Sequence, residues 1–229
     1  MWNRAEVKEK GKANFKKNYW KSVVVAFIYT LFFTSTAAVT SQNSEELTNS
    51  INEKGYDQTQ LFAFFMVFFA VLGIVMLVIT LVDIFLLNPL EVGCSRFFLV
   101  NQDQNAEFGE LSHNFSHNYL GTVCAIFLRN LIIAVGYALF IVPGCILTYS
   151  YRMVPYILAE NPGTSAIEAL KKSREMMKGQ KWNCFVYDLS FILWGILSAC
   201  TLGLVGLFYV NPYKFNADAV LYQKISAGK

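Results

Sequence analysis

Apolar residues in this chain gather into long blocks separated by short polar intervals. The blocks cover residues 22–39, 60–87, 119–142, 145–159, 183–200 and 204–222. About 20 apolar residues in a helix cross the hydrocarbon of a bilayer, so the pattern predicts six spanning helices. The polar stretch 42–59 reads as an outer loop, and Asn88-Pro89 as the inner end of the second span or a kink, because proline removes a helical hydrogen bond. Residues 90–100 then continue as a helix along the membrane interface. Pro143-Gly144, a strong turn signal, is expected to be a tight outer turn between spans three and four. Ser165-Ala166-Ile167-Glu168 has the form of a capping box and opens a helix that ends near Gly179. Ala166, Leu170, Ser173 and Met177 fall along one face of it, so it reads as an amphipathic helix on the membrane surface. Thr201-Leu202-Gly203 is the expected last turn, and Asn211-Pro212 the expected kink in span six. The fold class that follows is all-α: one polytopic membrane domain over residues 1–229.

Composition sharpens this picture. Of 229 residues, 55% are hydrophobic and 15% charged, where soluble domains carry about 25% charge. That excludes disorder and a collagen-like fibre, and argues against an ordinary soluble enzyme. The charge distribution is more informative than the net +3. The segments assigned to the inside hold 16 of the 19 Lys and Arg, whereas the 42–59 loop holds four acids and only Lys54. By the positive-inside rule both termini are cytoplasmic, and the first apolar block is an uncleaved span. No basic face on a soluble module points to nucleic acid. Cys94, Cys124, Cys145, Cys184 and Cys200 lie in or beside apolar blocks without metal or redox spacing, and read as small hydrophobes.

Three junctions before odd-numbered spans look alike: Phe15-Lys16-Lys17-Asn18-Tyr19-Trp20, Phe115-Ser116-His117-Asn118-Tyr119-Leu120 and Met177-Lys178-Gly179-Gln180-Lys181-Trp182. Each following even span carries a proline, in Leu87-Asn88-Pro89, Met153-Val154-Pro155 and Val210-Asn211-Pro212. The inference is an internal repeat of three units, about 1–100, 101–161 and 162–229, each a cytoplasmic amphipathic helix followed by a transmembrane hairpin. Common interfacial chemistry would produce similar junctions without repetition.

The stretch from Asn88 to Gly93, Pro143-Gly144 followed by Tyr149 to Asn161, Ser173 to Trp182, and Asn211-Pro212-Tyr213 with Tyr222 together resemble an uncharacterised family of multi-pass membrane proteins of Gram-positive bacteria, domain of unknown function nine-seven-five. The resemblance covers about residues 1–225. The Pro-Gly and Ser-Met-Gly-Trp layout more distantly resembles the membrane domain attached to some glycerophosphodiester phosphodiesterases. The family resemblance implies six spans and the bacterial cytoplasmic membrane. It implies no activity and no catalytic residues.

Ionisable groups inside spans are costly and mark candidate sites. Here they are Asp83, Arg129, Arg152 and Asp188, with Asp218 in the last segment. Arg129 lies ten residues past Tyr119, about 15 Å into the bilayer at ~1.5 Å per residue. The others fall at or below mid-membrane on the cytoplasmic side, so they are able to meet around one interior. One reading is a ligand site in which Arg129 and Arg152, with Asp83 and Asp188, bind an anionic head group or carboxylate. The other is an internal salt-bridge network that fixes helix packing. His113 and His117 share a helical spacing with Glu110 nearby, too few ligands for a metal site. No nucleophile elbow, metalloprotease helix, Walker loop or dinucleotide fingerprint is present. The functional expectation is therefore a non-enzymatic membrane protein without cofactor or metal, binding a lipid, an amphipathic peptide or a partner membrane protein. The alternatives are a small transporter or permease component whose buried Arg/Asp cluster lines the path, and an intramembrane lipid-processing enzyme.

Overall fold

The computed structural model describes residues 2–34, 58–116 and 118–228. The expected outer loop up to residue 57, the end of the first block and His117 lie outside the described residues. Among the described residues every regular element is helical.

Helix α1 (Arg4–Lys17) starts at Asn3, whose side chain accepts from the Ala5 N–H and satisfies one of the free donors of a helix start. Its buried stripe of Val7, Gly11, Asn14 and Phe15 follows helical spacing and packs along the last helix, α11 (Asn211–Ala227). Gly11 permits that approach, since a Cβ there would sit 2.6 Å from the Ala217 Cα. After α2 (Tyr19–Thr34), α3 (Gln58–Val82) runs through a π turn, Asp83–Leu87, into α4 (Asn88–Asp103). A 3₁₀ turn (Phe108–Ser112) leads to α5 (Tyr119–Leu139), then α6 (Ile141–Ser150), α7 (Val154–Glu160) and α8 (Ala166–Met176). The chain ends with α9 (Lys181–Leu189), α10 (Ile192–Cys200), a second π turn (Gly206–Val210) and α11. Three stretches are long and apolar enough to cross a membrane: Phe62–Asp103, Tyr119–Leu139 and Lys181–Cys200.

Helices α4 and α11 form the centre. They pack on each other, α11 also on α1 and α2, and α4 also on α2, α5 and α7. A polar network ties four of these helices together. The Asn101 side-chain amide donates to Asn216 Oδ1 at 2.8 Å and to the Asn14 carbonyl at 3.2 Å. Asn216 in turn donates to Ser22 Oγ at 3.3 Å, and Asn14 donates to Gln102. All five side chains are buried, where polar groups require partners.

The two Asn-Pro sites share one local solution. Proline lacks the N–H that would bond the carbonyl four residues back, and its ring crowds that carbonyl. Both helices widen into a π turn just before it, so that the Asn88 N–H reaches the Asp83 carbonyl and the Asn211 N–H the Gly206 carbonyl. The carbonyls that each proline leaves without an i+4 donor are Phe85 and Phe208. Tyr119 Oη donates to the first at 2.5 Å and Tyr19 Oη to the second at 3.2 Å. These tyrosines belong to two of the three junction motifs, and each also meets its own motif's phenylalanine, Phe115 and Phe15 respectively. The amide of each junction binds a segment far along the chain. Asn18 donates to the Ala106 carbonyl and Asn118 to the Pro162 carbonyl, while Gln180 accepts from Trp2 Nε1.

Three expectations change. Pro143-Gly144 is not the turn: the chain reverses at Phe140, which is extended, and Pro143 sits in the first turn of α6. Proline costs little there because first-turn N–H groups have no intrahelical partner. Gly144 serves close packing, since a Cβ there would overlap the Tyr137 ring of α5. Residues 90–100, expected as a helix along the membrane interface, form a helix packed by other helices on several sides. The expected fourth block breaks at Tyr151–Met153 into α6 and α7, whose residues Val154 to Ala159 are all buried. In α8 the expected cap is present, with Ser165 Oγ accepting from the Glu168 N–H. Ala169, Leu170, Ser173 and Met176 are buried, and Lys171, Lys172 and Arg174 face outward. Thr201-Leu202-Gly203 is a turn, with Leu202 and Gly203 both at positive φ.

Candidate functional site

The two Asn-Pro sites aim charged residues at one place. Glu91 stands two residues and Ser95 six residues beyond Pro89; Lys214 and Asp218 stand at the same offsets beyond Pro212. One helical turn separates the members of each pair, so each pair shares a face. Arg129 comes from α5, Asp188 from α9, and Arg152 from the break between α6 and α7. Together they line a cavity of about 550 Å³. Tyr29, Tyr149 and Tyr156 add hydroxyls to its wall, and Ile133, Phe185 and Phe215 add apolar surface.

Two ion-pair clusters occupy the cavity wall. In the first, Arg129 grips Glu91 with both Nη atoms at 2.7 and 2.8 Å, while its Nε donates to Asn130 Oδ1 at 3.0 Å. In the second, Arg152 Nη1 and Nη2 donate to the two oxygens of Asp188 at 2.6 and 3.1 Å, and Nη2 also reaches Asp218 at 2.9 Å. Lys214 bridges the same two carboxylates, 3.3 Å from Asp188 and 3.2 Å from Asp218. Tyr149 Oη donates to Asp188 at 3.1 Å. The Arg152 guanidinium also lies over the Tyr187 ring, 5.8 Å from its centroid, which adds a cation–π contact. The bidentate arginine geometry fixes each carboxylate in place more firmly than a lysine does.

Of the four residues expected to form a site, Arg129, Arg152 and Asp188 line the cavity. Asp83 does not: it is exposed in the π turn, eight residues and about 12 Å along the helix from Glu91. Asp218 joins the second cluster. Glu91 and Lys214 are the residues that sequence reasoning passed over. Their signal is the shared offset from Asn-Pro. Each expected arginine therefore has a carboxylate partner, and the wall carries three cations and three carboxylates. An anion-binding role for the arginines alone does not fit that balance. Among the described residues, no group of three His, Cys, Asp or Glu could hold a metal ion.

No curated protein and no solved structure matches the chain. A family model described as "Protein of unknown function (DUF975)" matches residues 13–229. That range contains the three junctions, both Asn-Pro sites and every residue of the cavity wall, and the chain belongs to the DUF975 family.

Proposed function

We propose that this is a polytopic membrane protein of the bacterial cytoplasmic membrane that binds an amphiphilic ligand, a lipid above all, with its polar end in the cavity. The observation that carries the reading is the cavity itself. One volume of about 550 Å³ joins pre-paired charges, tyrosine hydroxyls and phenylalanine surface, a mixture suited to a ligand with a polar head and an apolar body. Its wall reaches Tyr137, Cys145 and Thr148, which are exposed on α5 and α6. These are the helices whose junction, Leu139 to Val142, presents large apolar side chains outward. We infer six crossings in three hairpins: α2 with α3, α5 with α6 and α7, and α9–α10 with the second π turn and α11. Two features support three repeated units. The paired π turns are each closed by a tyrosine of another unit; two junction amides bind the segment leading into the next unit, and the third meets Trp2 at the start of the first. Exposed Lys and Arg on α1 and α8 suit amphipathic helices on a cytoplasmic surface, with both termini on that side.

The test is retention of lipid by purified protein. Lipid extracted from protein in neutral maltoside is compared for wild type, Ile133→Trp, which fills the cavity, and Leu193→Trp, which lies on an exposed face away from it. Loss of a specific lipid in Ile133→Trp only is the expected result. Equal retention in all three overturns the reading.

A further inference from the structure

The charges in the cavity wall are unequal in how firmly they are held, and that difference identifies a ligand group. Arg129 is fully engaged, with both Nη atoms on Glu91 and Nε on Asn130. Arg152 holds Asp188 through two nitrogens and Asp218 through one. Lys214 makes the longest contacts of the cluster, at 3.2 and 3.3 Å, and its side chain is 30% exposed against 13% for Arg129 and 16% for Arg152. Lysine is also a compact, strongly hydrated charge on a flexible stem, so it leaves more readily than a forked guanidinium. If Lys214 swings out, Asp188 and Asp218 retain two negative charges against Arg152 alone. An uncompensated charge at this depth is costly, so a cation must take the place.

We propose that this place receives a primary ammonium group carried on an apolar chain, with Lys214 as the tethered cation that the ligand displaces. This rests on the ligand-binding reading above and names the chemistry of the ligand's head. The ammonium has the three N–H donors needed to bond both Asp188 and Asp218, and the Tyr149 hydroxyl beside them has lone pairs for a third. A quaternary ammonium has no N–H and could not make these bonds. A single anion would have to enter against three carboxylates, with both arginines already paired. The apolar chain has Phe185, Phe215 and Ile133 to lie on. An aminolipid head group meets the description, and a small soluble amine lacks the chain.

Cys145 reports on the site because it lines the cavity and is exposed, whereas Cys94 and Cys184 are buried. In protein carrying Cys124→Ser and Cys200→Ser, in neutral maltoside, the rate of Cys145 alkylation by a water-soluble maleimide is measured. The added probes are dodecylamine, dodecyltrimethylammonium, dodecyl phosphate, dodecanol and ethanolamine. Dodecylamine should protect Cys145 at a concentration about tenfold below that of the trimethylammonium or the alcohol, since hydrogen bonds to charged groups discriminate by that much. Lys214→Gln should lower the protecting concentration of dodecylamine further, because the tethered competitor is gone. If that variant does not fold, the wild-type ranking of head groups decides alone. Equal protection by all dodecyl probes overturns the ammonium proposal and leaves amphiphile binding standing. Preference for dodecyl phosphate overturns it in favour of an anion. Protection by ethanolamine as strong as by dodecylamine overturns the need for an apolar chain. No protection by any probe overturns both this proposal and the ligand-binding reading.

Discussion

Helices α3 and α4 form one continuous run from Phe62 to Asp103, yet its two halves are solvated in opposite ways. From Phe62 to Val82 every residue is exposed, and the most apolar 18-residue window, of mean hydropathy 3.0, has none of its residues buried. Beyond the π turn the polar residues go inside: Asn88, Glu91, Ser95, Asn101 and Gln102 are all buried. In water this would be inverted, since large apolar side chains are the ones that burial favours. It becomes consistent if hydrocarbon surrounds α3. Lipid tails give apolar side chains no reason to pack on one another, whereas the polar groups of α4 must find partners wherever they are. In that setting α4 would supply cohesion, with its polar groups buried beside Val92, Phe97 and Phe98, and α3 would supply insertion.

That contrast fails if α4 can lose its charge pairing freely. Glu91→Ala leaves the largely covered Arg129 without its carboxylate, and removing one partner of a buried pair costs about 3–5 kcal/mol. Unfolding in detergent should register that loss, while Glu91→Ala with Arg129→Ala should be less damaging than either single change. A loss under about 1 kcal/mol in the single variants would place the pair in a solvated setting. The matching change in α3 is Ile74→Arg, in the middle of the exposed run. It should cost about 2.5–3.5 kcal/mol of membrane insertion, read by the inserted fraction in a translocation assay. Unchanged insertion would remove α3 from the hydrocarbon.

The apolar half was legible in the sequence because its signal is local: a charge-free block predicts its own environment. The polar half was not, because its burial depends on partners far along the chain. Nothing within residues 88–103 announces that Asn14, Leu111 and Asn216 will close over them. Depth alone places Asp83, Arg129, Arg152 and Asp188 around one interior, and the structure pairs Arg152 with Asp188. Asp83 was placed by the same reasoning and stands apart, because depth gives one coordinate and lateral position needs the helix packing. Both Asn-Pro motifs were visible, but the π turns before them were not. Those depend on how the proline's lost hydrogen bond is resolved, and Tyr19 and Tyr119 resolve it from other parts of the chain. The turn placed at Pro143-Gly144 shows the opposite error. A strong local turn signal was used for helix start and close packing, while the reversal fell on an unremarkable phenylalanine.

A smaller effect is expected in the amide network. Asn216 accepts from Asn101, donates to Ser22 and donates to the Pro212 carbonyl at 2.8 Å. Asn216→Ala leaves the Asn101 donor and the Ser22 hydroxyl buried with one partner fewer, which costs about 1–3 kcal/mol. Asn216→Asp keeps the acceptor toward Asn101 but loses both donations. If equilibrium unfolding finds both variants as stable as wild type, the network is not what holds α4 against α11.

The finest test uses two glycines in the same run. A Cβ on Gly93 in α4 would overlap the Leu111 carbonyl, which is backbone and cannot rotate away. Gly73 in α3 has nothing within 4 Å of its Cβ position. Gly93→Ala should therefore force the 3₁₀ turn away from α4 and destabilise by about 1–3 kcal/mol, the usual cost of overpacking. Gly73→Ala meets open space and gains helix propensity, worth at most about 1 kcal/mol in its favour. Thermal unfolding in one detergent should move the two midpoints in opposite directions. Two midpoints lowered together would mean that α3 packs as tightly as α4, and the division of labour between the halves would have to be abandoned.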